Sequence, residues 1–429
     1  MAFTATISRL WKLPDLRKSI LIVFGMLIIF RVAAHIPIPG VDQNALKQFF
    51  GQNQLLGLLN IFSGGGLERF SVVALGVGPY ITASIIFQLL AMIIPSLEEL
   101  SKEGESGQQR INMYTRWLSV PLAALQGYGL ISLLRQGGQG GAQILGSLTV
   151  WQTALVVLSL TAGTVFLMWI GELISEKKLG NGISLLIFAG IVASIPETIQ
   201  QTIFNYTPEL LVNMGLFIVI ALITIAVVVL ITEAQRNVPV SYARQVRGMR
   251  MVGGVNTHLP LRVNMAGVIP IIFAISIILF PPLIAQFFLR AKTQFLVQLA
   301  QVIQNLFQNE IFYGVLYFVL VFGFTYFYTA VIFHPQKIAE NLQKQGGFIP
   351  GIRPGRPTAE YLNYVTNRII AVGALFLGLV AILPLIMQSL TGVATLVIGG
   401  TSILIVVSVV IETVKQIESQ LTMREYEGL

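Results

Sequence analysis

NIFSGGGLERFSVVALGVGPYITASIIFQLLAMIIP, residues 60–95, opens with a short glycine-rich piece, Ser63-Gly64-Gly65-Gly66, that carries the neighbouring charges Glu68 and Arg69. A break follows at Gly76-Val77-Gly78-Pro79, and then an uncharged apolar run. Glycine removes the Cβ penalty and proline removes a backbone donor, so the stretch reads as a helix interrupted near one membrane face. Lipid does not tolerate unpaired backbone, so such a break sits inside protein or lines a cavity. The stretch therefore reads as a small mobile element followed by a pore-lining half-helix.

The rest of the chain fits a membrane. Of 429 residues, 55% are hydrophobic and 11% charged; a soluble domain carries about 25% charged residues. The basic excess, 27 Lys and Arg against 19 Asp and Glu, points first to cytoplasmic loops rather than to nucleic acid. Cysteine is absent, which excludes disulfides and thiolate metal sites. The apolar run at 20–30 lacks a small-residue cleavage site, so it reads as a retained first span and not a cleaved signal peptide.

A span needs about 20 apolar residues. About ten candidates follow, near 20–36, 76–95, 117–134, 152–171, 183–203, 212–232, 264–284, 312–333, 368–388 and 394–412. The basic segment LWKLPDLRKS before the first suits the interface. With the N-terminus inside, 21 of the Lys and Arg residues fall on the cytoplasmic side. Five fall outside: Lys47, Arg69, Arg135, Arg290 and Lys292. This satisfies the positive-inside rule and places both termini in the cytoplasm. Arg31, late in the first span, is expected to snorkel to the outer face.

Two cytoplasmic loops are long, 233–262 and 334–367. The second contains GFIPGIRPGRP (347–357), whose alternating Pro and Gly make a stiff, turn-rich tip that presents arginines to solvent. Topology anchoring accounts for the charge but not for the length or the turns, so this loop reads as a docking surface for a cytosolic partner. Outside, residues 291–308 alternate apolar and Gln-rich positions and suit a segment lying flat on the membrane. Gly76-Val77-Gly78-Pro79 opens the second span and Gly267-Val268-Ile269-Pro270 the seventh. The two spans run in opposite senses, as an inverted five-plus-five repeat around a central path requires.

The residues argue against catalysis. The two aspartates, Asp15 and Asp42, lie outside the spans, and His35, His258 and His334 form no HExxH. Gly182-Ile183-Ser184-Leu185 has a Gly-x-Ser core, but no histidine inside a span serves as its base. No P-loop occurs. Glu172, Glu197, Glu233 and Glu412 sit at or near span ends, whereas coupled carriers keep ionisable groups inside the bundle. An intramembrane protease and a secondary transporter are thus the weaker readings. Mid-membrane positions are apolar; spacing alone leaves them as packing residues or as a constriction that excludes ions by dewetting.

Several segments together resemble the SecY family of protein-conducting channels: FRVAAHIPIPGVD (30–42), residues 60–90 quoted above, KEGESGQQRINMYTR (102–116), LGNGISLLIFAGIVA (179–193), THLPLRVNMAGVIPIIFA (257–274), GFIPGIRPGRPTAEYL (347–362) and GGTSILIVVSVVIE (399–412). The resemblance implies an all-α polytopic membrane protein of about ten transmembrane helices in two inverted five-helix halves, 1–205 and 206–429, around a central pore. It implies a pore ring of branched aliphatics at Val77, Ile81, Ile183, Ile187, Ile272 and Ile405, with Val77 standing where the family often has isoleucine. It implies a plug at about 61–73, including Ser63, Gly64, Gly65, Gly66, Leu67, Glu68 and Arg69; the Glu68-Arg69 charges depart from a purely small, apolar plug.

The same resemblance implies a lateral gate, spans two and three against seven and eight, with Gln88 and Asn264 as polar gate positions. It implies partner docking at Arg250, Arg353 and Arg356. Implied partners are the membrane subunits SecE and SecG, the ATPase SecA, the ribosome, signal-bearing polypeptides and the lipid bilayer, in a bacterial cytoplasmic membrane. No cofactor or metal is implied.

Overall fold

The computed structural model describes residues 13–39, 41–42, 45–46, 60, 63–136, 149–204, 208–242, 245–247, 250–252, 256–289, 293–391 and 394–427. Residues 61 and 62 of the expected plug and both extreme termini lie outside that set.

The first half contains α1 (Pro14–Ala34), α2 (Gly78–Ile93), α3 (Pro95–Lys102), α4 (Glu105–Gln136), α5 (Val150–Glu176) and α6 (Gly182–Phe204). α7 (Pro208–Glu233) leads into four strands, β1 (Gln235–Tyr242), β2 (Gln245–Arg247), β3 (Arg250–Val252) and β4 (Asn256–Arg262). Then follow α8 (Ile269–Phe288), α9 (Gln294–Gln308), α10 (Glu310–Ile332), α11 (Pro335–Lys344), β5 (Gly347–Phe348), α12 (Arg356–Thr391) and α13 (Ala394–Glu427). Among the described residues, the long helices α1, α2, α4–α8, α10, α12 and α13 correspond one to one with the ten expected spans.

By length and composition alone, α4, α5, α10 and α12 each contain a stretch able to cross a membrane, and α2 with α3 makes a broken span bent by 104°. The bend falls at Ile94-Pro95, where the proline starts α3 and cannot continue α2's hydrogen-bond ladder. α1 starts at Pro14, so the basic segment expected at the interface is continuous with the first span.

α2 and α8 begin by the same device. Gly76 (φ 58°) and Gly267 (φ 64°) both sit in the left-handed region that favours glycine. Each is followed by a buried valine at the N-cap, Val77 or Val268, with proline in the first two helical positions. Proline there fits because its missing N–H has no intrahelical partner to lose.

Packing divides the helices into two groups. α2, α4, α5 and α6 lie against one another, with α1 on α5 and α6. α8, α10, α12 and α13 form the second group, and α7 packs on α13. The groups meet along two seams: α8 against α2 and α4, and α13 against α6. One apolar cluster runs through both groups.

Two features differ from the sequence expectation. The loops at 233–262 and 334–367 are not separate irregular tips. β1 pairs antiparallel with β4 over Gln235–Ser241, and also with β5 through Ser241↔Phe348 and Tyr242↔Gly347, giving a three-stranded sheet ordered β4-β1-β5. Val238, Val240, Leu261, Ile349, Leu362 and Val365 make a small core beneath it. In addition, α12 starts at Arg356, so residues 356–367 are the first three turns of a helix that projects beyond the expected span. α9 presents Phe295, Leu299, Val302 and Leu306 exposed along one side, the stripe that suits a helix lying on an interface.

Replacing Val240 with Asp puts a carboxylate into this small core at a cost above about 2 kcal/mol. Limited proteolysis is expected to cut within 233–262 much faster, while the helical bundle stays protected.

Candidate functional site

The centre of the molecule is built by four elements. The first turn of α2 and its cap supply Val77 and Ile81, and α6 supplies Ile183 and Ile187. Residues four apart on a helix share a face, so each pair presents one continuous patch. α8 adds Ile272 and α13 adds Ile405. Five of the six are no more than 6% exposed and belong to the apolar cluster that spans both groups; Ile183 is partly buried and packs against it. Both helix groups therefore contribute expected ring residues to one extended buried cluster. Val73, Val268 and Ile191 extend the same cluster.

Residues 63–77 form consecutive turns rather than a helix. Asn60 organises them. Its carbonyl accepts from Gly65 N (2.8 Å) and Ser63 Oγ (2.9 Å). Its side chain donates to Glu68 Oε2 (3.0 Å) and accepts from Glu68 N (2.9 Å). Ser63 Oγ in turn accepts from Leu67 N (3.0 Å). The Glu68 charge is therefore taken up inside the segment, and that accommodates a polar residue in a closure element.

The root of the segment is tied to the chain leaving α1: Ile38 N donates to Phe70 O and Val72 N to Ile36 O, flanking the bridge Pro37↔Ser71. Phe70 holds φ 47°, strained for an aromatic residue, and is fully buried beside Leu67.

Gly64 occupies a tight place. At φ 67°, its backbone faces Phe30 and Gly190; a Cβ there would lie 2.9 Å from the Phe30 ring and 3.0 Å from the Gly190 Cα. The glycine expected as a sign of mobility is thus required by close packing.

Arg31 is half-buried rather than snorkelling. One guanidinium nitrogen donates to the Gly64 carbonyl and the other to the Ala193 carbonyl at 3.4 Å. A lone cation in the last turn of an apolar span was the available signal, and the general habit of such residues pointed the other way.

The two expected gate residues, Gln88 in α2 and Asn264 in the chain before α8, each carry an orphaned acceptor. Gln88 Nε2 donates to Ser84 Oγ (3.1 Å), but Gln88 Oε1 is buried without a partner, as is Asn264 Oδ1. Each such group costs about 1–3 kcal/mol while the seam is closed. Gln88 and Phe87 also line a cleft of about 1300 Å³ that runs between α2–α4 and α10–α12.

Of the three docking arginines, Arg353 is exposed in the turn before α12, where its carbonyl accepts from Thr358 Oγ1 (2.9 Å). Arg356 opens α12 and pairs with Glu360 at 3.1 Å, both exposed. Arg250 lies in β3 opposite Arg247.

The SecY family model matches residues 71–414. The chain belongs to the SecY family. It is 45% identical to a protein translocase subunit SecY of Streptomyces coelicolor over 98% of each chain, and 44% identical to that of Corynebacterium glutamicum over 99% of each. Among solved structures, it resembles a SecY whose plug domain is described as stabilising the closed channel and maintaining a membrane seal. That match has a TM-score of 0.61 at 17% identity, covering 93% of this chain and 91% of the other. The SecY-like fold is therefore shared well beyond recognisable sequence identity.

Gly64→Val adds bulk against Phe30 and Gly190 and enforces a strained φ. It is expected to raise the ion conductance of vesicles holding the protein severalfold, read by a membrane-potential dye.

Proposed function

We propose that this chain is the pore subunit of a protein translocase in a bacterial cytoplasmic membrane. It passes unfolded, signal-bearing polypeptides through the centre and releases membrane segments sideways into lipid. The observation that carries this reading is that both helix groups supply branched aliphatics to one buried cluster, Val77, Ile81, Ile187, Ile272 and Ile405 within it and Ile183 packed against it. A ring of such side chains yields around a moving chain while water and ions are held off by dewetting.

The segment at about 61–73 acts as the plug over this ring. The seam of α8 with α2 and α4 acts as the lateral gate, and the α6–α13 seam lies on the hinge side. Because Gln88 and Asn264 hold orphaned oxygens in the closed form, the gate is poised rather than locked; opening to water or to a polar chain satisfies them.

The β4-β1-β5 sheet with Arg353, Arg356 and the β2–β3 hairpin bearing Arg250 is the cytosolic docking platform. Arginine suits anionic protein or ribosomal surfaces through its planar fork. SecA or the ribosome supplies the driving force there, and the pore itself is passive. SecE and SecG complete the membrane complex, and both termini are cytoplasmic.

The test uses this cysteine-free chain. A cysteine replaces Ile187, another is placed mid-way along a secretory substrate, and the substrate is stalled with SecA and ATP. A crosslink at Ile187, absent at lipid-side Val227 on α7, is expected. Equal crosslinking at both positions, with translocation verified by protease protection, would contradict the central path.

Asn264→Leu removes one orphaned oxygen and is expected to favour the closed seam. The initial rate of substrate protection should fall severalfold, with resting conductance unchanged.

A further inference from the structure

We infer that Arg31 is the latch that holds the plug closed, joining the tip at Gly64 to α6. This rests on the reading of the segment at about 61–73 as the plug. Between Lys18 and Arg31, α1 carries no charge, so a cation at this depth needs a partner to persist.

The partners are two main-chain carbonyls on different segments: Gly64 in the turns and Ala193 in α6. Ala193 lies in the turn before Pro196 of α6. The same two helices also grip the tip sterically, because Phe30, next to Arg31, and Gly190, one turn before Ala193, enclose Gly64.

A guanidinium reaches both carbonyls because its donors are spread over a rigid fork; an ammonium acts as a single point. The two carbonyl bonds therefore tie the turns to α6 through one side chain of α1. That is the behaviour of a catch rather than of a packing residue.

The test is made on the full chain, purified with its membrane partners and placed in phosphatidylethanolamine–phosphatidylglycerol vesicles. A cysteine at Leu67, a buried residue of the plug itself, is probed with a water-soluble maleimide supplied to both faces. Val321→Cys, fully buried in α10, reports general loosening.

Arg31→Gln is expected to speed labelling at Leu67→Cys about tenfold or more, the scale of losing charge-assisted hydrogen bonds. Labelling at Val321→Cys should stay slow. Resting ion conductance should rise alongside, and Arg31→Lys should fall between the two.

Unchanged labelling and conductance in Arg31→Gln would overturn the latch, as would equal acceleration at Leu67→Cys and Val321→Cys. Deletion of 64–69 separates the two ideas. If the deletion leaks while Arg31→Gln is tight, the plug stands and the latch fails. If the deletion is also tight, the plug reading and the latch both fall.

Discussion

Everything in this molecule depends on an apolar contact between two groups of helices that must both seal and part. A polar or charged interface in lipid would be costly to open and close, because each separated group needs a new partner. Branched aliphatics avoid that. Val77, Ile81, Ile187, Ile272 and Ile405 make dispersion contacts without direction, so they re-form around any side chain. Specific polar contacts are kept to the edges of this cluster, at the gate seam and at the plug.

The segment we propose as the plug uses the opposite strategy. Asn60, Ser63 and Glu68 close a compact hydrogen-bond network within the segment, so it moves as one body. Its polar ties to the rest run through the ladder at residues 36–38 and through Arg31, and Leu67 and Phe70 add buried apolar contacts. The strained φ of Phe70 lies at the root, beside the ladder to residues 36–38, where a change of direction in the chain is needed.

Much of this was legible in the sequence, because lipid imposes simple rules on backbone and charge. Hydropathy located the spans, and the Gly-Val-x-Pro pairs marked the starts of α2 and α8, where the structure repeats one cap geometry. The six aliphatics came from resemblance rather than from periodicity, since an all-round apolar helix has no preferred face in its sequence.

The β4-β1-β5 sheet was not legible. β5 has two residues, and its pairing with β1 joins segments about a hundred residues apart, which no local pattern encodes. The start of α12 at Arg356 was hidden by the Pro-rich run, although proline at position 357 is well suited to a first helical turn. Arg31 was misread because its partners are backbone carbonyls, and those leave no trace in a side-chain pattern.

The central claim is that the shared aliphatic cluster forms the seal around a moving chain. Single-channel conductance with a substrate stalled in the pore tests it most directly. The natural chain should pass little current, and a variant with Ile81, Ile187, Ile272 and Ile405 all changed to Ser should pass many times more with the same substrate bound. If the two conduct equally, with the polypeptide verified inside both, the seal lies elsewhere and the account of the centre is wrong.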